Sequence, residues 1–401
     1  MDDSSKRVKV LHVITRFIGG GADENTLFTV NGLDKSRYEV HLMIGNTYDK
    51  AMIERLDADV RLIKIADMGR EISPVKDMKA LLLMHSFIRS ERYDIIHTHT
   101  SKAGFLGRTA AHLCGLSNII HGVHTIPFGD VLRPRYNWLF LLLEKYAARF
   151  TRVFISVGED LKWRYIKQGV GSPERFCTIY SGMDLEEFTR AGAMTSEELQ
   201  SLRRSMGIGD DEYCVGIVSR LEPGKGFAFF PSIVEEVNRR CEKVKFLVVG
   251  DGSMRHDLLS QIREKKLQDH VVFAGFRDDV ARVMAAFDIA IFTSLLEGLP
   301  RTVVQYAILG RPIVTFDVGG VREVVRDGEN GFIIEKNSID EFAGRIAHIL
   351  QTPGLRELMR EKEKEFPRHL WSKDEMVGRI DAIYQKMLNQ EFGIRNYGIT
   401  E

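Results

Sequence analysis

The feature that most constrains the fold of this chain is a strand, glycine turn and helix pattern that recurs along it. The run KVLHVIT (9–15) is rich in β-forming residues, and three glycines (19–21) separate it from a helical pattern of apolar residues. Comparable apolar runs, separated by helical segments, span 38–44, 60–65, 93–100, 118–125 and 152–158. Strands that alternate with helices predict a parallel sheet covered on both faces.

The second half of the chain repeats this pattern after an interruption. Polar, helix-forming sequence follows Asp184, and apolar runs resume at CVGIVSRL (214–221). A chain of 401 residues is long enough for two domains with full cores. We therefore predict an α/β protein with doubly wound domains at 1–190 and 211–367, followed by a helical segment at 368–390.

Composition excludes several classes of protein. The chain has 56 Lys and Arg against 56 Asp and Glu, and this balance argues against a nucleic-acid binder. Its four cysteines show no zinc-binding or disulfide spacing, which is typical of a reducing cytoplasm. The polar start and the absence of an apolar run of about 18 residues give no signal for secretion or membrane insertion. We expect a cytoplasmic protein.

The most informative residues follow the predicted strands. Ligands of open parallel sheets bind beyond the carboxyl ends of the strands. Here those ends carry glycine turns with polar groups: GGGA (19–22), EPGKG (222–226), GDGS (250–253) and LLEGLP (295–300). Ordinary turn chemistry explains each one alone, and the dinucleotide pattern GxGxxG fails because Glu24 replaces its third glycine. Together the four turns predict a ligand that bears phosphate.

The order of these motifs resembles family 4 of the retaining, nucleotide-sugar-dependent glycosyltransferases. The resemblance covers residues 8–388 and rests on GGGA, HTHTSKAG, GVHT, VSRLEPGKG, VGDG, EGLPRTVVQ, GRPIV and DVGGVREVV. It implies the GT-B fold, in which two Rossmann-like domains face each other across a cleft. Residues 1–190 would then bind the acceptor and residues 211–367 the nucleotide sugar, while the helix in 368–390 would cross back to the first domain.

The resemblance also implies roles for residues of the donor site. Arg220 and Lys225 would bind the diphosphate, where fixed cations stabilise the charge of the leaving group. Glu297 would contact the sugar hydroxyls, and His124 in GVHT would lie near the same sugar; with the two cations these are the catalytic candidates. The other donor-binding candidates are Gly20, Gly21, Gly252, Phe276, Gly298, Leu299 and Gln305.

Gln305 departs from the family pattern. The family usually has a second Glu at this position, which accepts hydrogen bonds from the ribose of the nucleotide. A glutamine keeps one acceptor oxygen but lacks the charge. The departure keeps open a catalytically weak sugar-nucleotide-binding protein as an alternative function.

The segment HTHTSKAG supplies the acceptor-side candidates. His97 and His99 alternate at the end of a predicted strand and therefore point to the same face. Two histidines could bind a metal, but no third ligand is visible in the sequence, so we expect structural or acceptor-side hydrogen bonds. Ser101 and Lys102 open the next helix, where a phosphate would meet free N–H groups and an ammonium. Thr125, after His124, completes the acceptor-side set.

No DxD-type carboxylate pair follows a predicted strand, so we expect no metal and no cofactor, with the nucleotide sugar as substrate. The loop 128–136 contains Arg133 and Arg135 and is a candidate contact with the inner face of an anionic membrane. Many relatives with the HTHTSKAG signature build lipid-linked or surface polysaccharides. We therefore predict a retaining transferase that uses a UDP-sugar and a lipid-linked or other phosphorylated glycan acceptor. A nonhydrolysing UDP-sugar 2-epimerase shares the architecture and is an alternative, although EGLP and EPGKG fit it poorly.

Overall fold

The computed structural model describes residues 7–128 and 136–389. The chain divides into two compact units. The first consists of Met1–Met183 with His369–Glu401, and the second of Asp184–Arg368.

The first unit contains a parallel sheet with helices on both faces. Its strands are β1 (Val8–Phe17), β2 (Tyr38–Tyr48), β3 (Arg61–Lys64), β4 (Ile95–His99), β5 (Ile119–Val123), β6 (Val153–Ser156) and β7 (Phe176–Thr178), in the spatial order β3-β2-β1-β4-β5-β6-β7. Its helices before the second unit are α1 (Gly21–Gly32), α2 (Lys50–Glu54), α3 (Pro74–Glu91), α4 (Ser101–Leu113), α5 (Asn137–Ala148) and α6 (Glu159–Lys167). All of its strand pairs are parallel within the described ranges.

The central strand β1 is buried on both faces, as expected for a parallel sheet with helices on each side. Val10 and Ile14 belong to a core that includes residues of α1, whereas Leu11 and Val13 belong to a second core with residues of α3 and α4. The continuous apolar character of KVLHVIT follows from this double burial, because neither face of the strand meets water.

The second unit repeats the same strand order. Its strands are β8 (Tyr213–Val218), β9 (Val244–Val249), β10 (Val271–Gly275), β11 (Ile289–Phe292), β12 (Ile313–Phe316) and β13 (Gly331–Ile334), in the order β10-β9-β8-β11-β12-β13. Its helices are α7 (Leu185–Gly192), α8 (Ser196–Ser205), α9 (Phe230–Arg240), α10 (Arg255–Glu264), α11 (Val280–Ala285), α12 (Arg301–Ile308), α13 (Ile339–Gln351) and α14 (Leu355–Glu361).

The start of the second unit differs from the boundary expected from sequence. Residues 184–190 were expected in the first domain, and 191–210 in neither. The structure assigns both stretches to the second unit. Helix α7 packs against α11, and Arg203 of α8 donates to the carbonyl of Ala286 at 2.9 Å. No strand lies between these two helices, which is why the strand pattern alone did not include them.

The last helix, α15 (Lys373–Leu388), belongs to the first unit. Ser372 caps its first turn by accepting from the N–H of Glu375 at 3.0 Å. Met376, Ile380 and Ile383 lie in the same core as α1. Helix α15 therefore completes one face of the first sheet.

Candidate active site

In the second unit, the loops after β8 and β11 lie against each other because these strands are neighbours in the sheet. Leu295 N–H donates to the carbonyl of Gly224 at 2.9 Å, and Thr293 Oγ1 donates to the carbonyl of Lys225 at 2.9 Å. The EPGKG (222–226) and LLEGLP (295–300) motifs, which are far apart in sequence, thus form one structural element.

Lys225 and Glu297 form an ion pair at this junction. Lys225 Nζ donates to Glu297 Oε1 at 2.7 Å, and Ser294 Oγ donates to the same oxygen at 2.6 Å. The side chains are 26% and 16% exposed, so both are oriented by neighbours and still accessible to a ligand. This arrangement brings together two residues that the sequence assigned to the donor site.

Gly226 makes the close approach of the two loops possible. Its φ is +76°, a conformation that L residues other than glycine rarely adopt. A Cβ at this position would lie 1.8 Å from the carbonyl oxygen of Thr293. A glycine is therefore required here by both conformation and space.

The turn after β9 is held against the turn after β8. Leu221 N–H donates to the carbonyl of Asp251 at 3.0 Å, and Ser253 Oγ donates to Glu222 Oε2 at 2.9 Å. A Cβ on Gly252 would lie 2.5 Å from the carbonyl oxygen of Leu221. Gly252, a predicted donor-binding residue, thus has a structural reason to be glycine.

Phe276 lies at the border of this arrangement. It follows β10, the edge strand, and its side chain is 77% exposed. Since β10 is two strands from β8, Phe276 lies roughly 10 Å to the side of the Lys225 loop at the usual strand spacing. A role for Phe276 in donor binding stays a prediction.

Several polar groups at these strand ends have no protein partner among the described residues. Arg220 is exposed, and within the described residues no hydrogen bond or ion pair engages its guanidinium. In the same part of the chain, the N–H groups of Gly298 and Leu299 donate to no protein acceptor. Gln305 lies half-buried on α12, and its side-chain amide has no protein partner there. A cation and two backbone donors are the kinds of group that bind phosphate oxygens.

In the first unit, the glycines after β1 lie at the surface. Gly20 is the N-cap residue of α1 and Gly21 is its first residue, and both are exposed. The carbonyl of Gly20 accepts from Glu24 N–H at 2.8 Å, while Asp23 accepts from Ile18 N–H at 3.0 Å. The loop therefore presents its backbone outward, as an approach to a ligand requires.

The acceptor-side candidates gather after β4 and β5, which are neighbouring strands. His99 Nδ1 lies 3.1 Å from His124 Nε2. Thr125 is exposed, and its carbonyl accepts from the Tyr165 hydroxyl at 3.2 Å. Ser101 is the first residue of α4, two residues after His99.

Lys102 has partners that the sequence did not reveal. Its Nζ donates to Asp77 Oδ1 at 2.7 Å and to the carbonyl of Glu71. Asp77 lies in the first turn of α3, and its negative charge offsets the positive charge that Lys102 would present to an acceptor phosphate. A phosphate role for Lys102 stays a prediction.

The structure adds a third histidine to His97 and His99. His12 of β1 pairs in register with His97, and its Nδ1 lies 3.0 Å from His99 Nε2. Nitrogen atoms of the three rings lie within 4.8 Å of one another. The sequence did not reveal this third histidine beside the pair, because His12 is about 85 residues away from it. A histidine within the apolar run KVLHVIT was the signal for it.

These buried histidines are uncharged. Burial lowers the pKa of His12 to about 3, and it holds the pKa values of His97 and His99 well below 6.5. The side chain of His124 is half-buried and more accessible.

The predicted membrane loop lies largely outside the described residues. Arg133 and Arg135 fall in the gap between 128 and 136. Across the two described ranges, none of the helices is both long and apolar enough to cross a bilayer.

Two parallel α/β units with charged turns at their strand ends fit the GT-B fold. The family model Glycosyl transferases group 1 matches residues 200–366, and the model Glycosyltransferase Family 4 matches residues 19–187. The chain belongs to the group 1 glycosyltransferases, which confirms the family and the fold class predicted from sequence.

Curated relatives agree with this assignment. The chain is 28% identical to the Escherichia coli UDP-Gal:alpha-D-GlcNAc-diphosphoundecaprenol alpha-1,3-galactosyltransferase, over 87% of this chain and 89% of that protein. It is 23% identical to the Staphylococcus aureus capsular polysaccharide biosynthesis glycosyltransferase CapM, over 79% of this chain and 82% of that protein.

Solved structures show the same fold. Anabaena HepE, crystallised in complex with UDP, superposes with a TM-score of 0.79 at 21% identity, over 94% of this chain and 100% of that chain. Sucrose-phosphate synthase from Thermosynechococcus elongatus superposes with a TM-score of 0.80 at 16% identity, over 96% of this chain and 100% of that chain.

Proposed function

We propose that this glycosyltransferase moves a sugar from a UDP-sugar to a polyprenyl-diphosphate-linked glycan, with retention of the anomeric configuration. The donor part of this proposal rests on one observation, the ion pair between Lys225 and Glu297 in the same group of loops as the exposed Arg220. The names of two similar proteins support the substrates: HepE was crystallised with UDP, and the E. coli relative uses UDP-Gal and a diphosphoundecaprenol acceptor.

The donor diphosphate is assigned to the strand ends of the second unit. Departure of UDP builds negative charge on the phosphate, and preorganised cations and N–H groups stabilise that charge in the transition state. Lys225, Arg220 and the free amides of Gly298 and Leu299 supply such groups from the protein itself. We therefore assign this role to the protein and propose a reaction that needs no metal ion.

Glu297 is assigned to the sugar hydroxyls rather than to a nucleophilic role. One of its oxygens already accepts from both Lys225 and Ser294, and these hydrogen bonds reduce its nucleophilicity. In the proposed step, the bond from the anomeric carbon to UDP breaks. The acceptor oxygen forms the new bond on the same face, and its proton passes to the departing phosphate.

A lipid-linked acceptor requires that the enzyme approach a bilayer. Helices α3, α4 and α5 pack side by side on the first unit, and their outer surface carries apolar side chains. The exposed apolar residues of α3 and α5 recur at helical spacing: Val75, Met78 and Leu82, and Trp138, Leu142 and Tyr146. An apolar stripe of this kind is typical of interfacial contact.

Liposome co-sedimentation tests this contact. Leu82→Glu should weaken binding to vesicles that contain anionic lipid. Leu358→Glu is the matched control, since Leu358 is 58% exposed on α14 of the second unit and Leu82 is 60% exposed. Equal binding by both variants would exclude the α3 surface as the contact.

The proposed reaction is tested with a panel of UDP-sugars and polyprenyl-diphosphate-linked N-acetylglucosamine. We expect transfer, an α linkage in the product by NMR, and the same rate in the presence of EDTA. Epimerisation of the donor at C2 would favour the epimerase alternative. Binding without turnover would favour the sugar-nucleotide-binding alternative.

A further inference from the structure

A chain of hydrogen bonds runs through the interior of the first unit and ends at His124. His97 Nδ1 lies 2.7 Å from Tyr384 Oη, which lies 3.1 Å from His12 Nε2. His12 Nδ1 lies 3.0 Å from His99 Nε2, and His99 Nδ1 lies 3.1 Å from His124 Nε2. The chain thus connects α15, β1 and β4 to the loop after β5.

The number of protons on these groups allows the hydrogen-bond chain only two arrangements. A neutral imidazole has one N–H donor and one acceptor nitrogen. Burial keeps His12, His97 and His99 neutral because it lowers their pKa values, and burial keeps the Tyr384 hydroxyl protonated because it raises that pKa well above 10. Each ring uses both of its nitrogens, except His97, whose second nitrogen faces a cavity. The Tyr384 hydroxyl donates to one of its two ring partners and accepts from the other, because its proton would otherwise be buried without an acceptor.

The atoms at each link fix how the two states differ. Every imidazole to imidazole link joins an Nδ1 to an Nε2, and Tyr384 joins His97 Nδ1 to His12 Nε2. When His124 is neutral, the four rings are therefore either all protonated on Nδ1 or all protonated on Nε2. A mixture of the two tautomers would place two donors or two acceptors against each other, or leave the buried Tyr384 proton without an acceptor.

The cavity at the far end of the chain is polar at two points. It has a volume of about 20 Å³, and its lining includes Asn25, His97 and His124. Asn25 Oδ1 and His97 Nε2 are buried and have no hydrogen-bond partner among the described residues. This volume is sufficient for one water molecule.

A metal ion is the other use for three clustered histidines. Tetrahedral zinc at about 2.1 Å from each nitrogen separates its ligand atoms by roughly 3.4 Å. The 3.0 Å between His12 Nδ1 and His99 Nε2 is shorter than this, and it is the usual length of a hydrogen bond. The geometry therefore favours the hydrogen-bonded chain.

We propose that these five groups form one tautomeric unit that sets which ring nitrogen of His124 carries the proton. The proposal rests on the proposed function and on the role that the family resemblance implies for His124, a contact with the transferred sugar. Tyr384 would then be a positioning residue. It lies in the last helix, touches no substrate, and acts by holding His124 in the tautomer that its contact with the sugar requires.

The first test measures tautomers in the wild-type protein without any assay of activity. With histidine alone labelled with ¹⁵N, long-range ¹H–¹⁵N spectra distinguish Nδ1–H from Nε2–H rings. We expect His12, His97, His99 and His124 to share one tautomer. A mixed set overturns the proposal, as would stoichiometric metal in the purified protein. Because this result does not depend on turnover, it stands even when the proposed reaction fails.

The second test breaks the chain with Tyr384→Phe. We expect the four rings to lose their common tautomer and kcat to fall about tenfold, the scale of one lost hydrogen bond, with little change in donor KM. Tyr93→Phe is the matched control, since Tyr93 Oη lies 2.6 Å from Nδ1 of buried His41 on the same sheet. The control should lose similar thermal stability and keep both kcat and the four tautomers.

Unchanged tautomers in a folded Tyr384→Phe protein would overturn the proposal, and so would an equal loss of kcat in the two variants. If Tyr384→Phe does not fold, the wild-type spectra alone decide whether the rings are coupled.

Discussion

The two units share one strand order but differ in where they keep their polar groups. In the first unit, His12, His97 and His99 lie beneath the helices and are almost fully buried. In the second unit, Lys225 and Glu297 lie in turns at the strand ends and keep 26% and 16% exposure. The same architecture therefore holds one polar cluster away from water and presents another to it.

The difference separates two uses of polar residues. A buried polar group needs hydrogen-bond partners within the protein, because otherwise nothing offsets the free-energy cost of removing it from water. A half-exposed group can exchange a protein partner for a ligand at small cost. We expect changes in the buried cluster to affect stability first, and changes in the exposed cluster to affect activity first.

Acidification should produce the largest effect, and it should begin in the first unit. Burial holds the pKa of His12 at about 3 and the pKa values of His97, His99 and His121 well below 6.5. In the unfolded chain the same rings take up protons near pH 6.5, so stability is full above that pH and falls as the pH decreases. Between pH 7.5 and 5.5 this proton uptake lowers the free energy of unfolding by on the order of 1 kcal/mol for each ring, and by several kcal/mol for the four together.

Urea denaturation at the two pH values measures this loss. Hydrogen exchange, corrected for the intrinsic dependence on pH, should show that protection falls in β1, β4 and β5 before it falls in β8 and β11. Equal unfolding free energies at pH 7.5 and 5.5 would contradict the burial of neutral histidines.

The next largest effect should come from a buried ion pair of the first unit. Arg108 Nη2 lies 2.8 Å from Glu144 Oε2, and these side chains are 0% and 3% exposed. Arg108→Met leaves a buried carboxylate without its partner, so we expect the unfolding free energy to fall by about 3–5 kcal/mol. The double variant Arg108→Met/Glu144→Leu should recover most of this loss in chemical denaturation. If the Arg108→Met variant were as stable as the wild-type protein, the expectation that changes in buried polar groups affect stability first would be contradicted.

Sequence patterns predicted the exposed cluster better than the buried one. Each strand-end motif is local, and neighbouring parallel strands place their ends together, so the contact of Lys225 with the Glu297 turn follows from fold class. The histidine chain depends on pairings 87 residues apart, between His12 and His99, and 372 residues apart, between His12 and Tyr384. No local periodicity encodes such contacts, and the position of α15 in the first core was available only through the family resemblance.

Lys225→Ala tests the exposed cluster directly. Loss of a cation that stabilises the leaving diphosphate should lower kcat/KM by about 100-fold to 1,000-fold, while stability changes little. Lys245→Ala is the control, because Lys245 pairs with Glu212 in the same unit at similar exposure. Near-normal turnover in a folded Lys225→Ala protein would remove the donor-site assignment.

The smallest expected effect concerns Gln305, the half-buried glutamine of α12. A carboxylate here would accept charge-assisted hydrogen bonds from a ribose, which are stronger than neutral ones by about 1 kcal/mol. Gln305→Glu should therefore change the donor KM by about tenfold or less and leave kcat similar, because the contact is the same in the ground and transition states. Gln261→Glu adds the same charge to a half-buried position of α10 and should change neither. If the parent protein is inert with every donor and Gln305→Glu is active, the exposed cluster of this chain binds its nucleotide sugar without turnover. In that case the partly exposed charges of the second unit would belong to a binding site and not to a catalytic site.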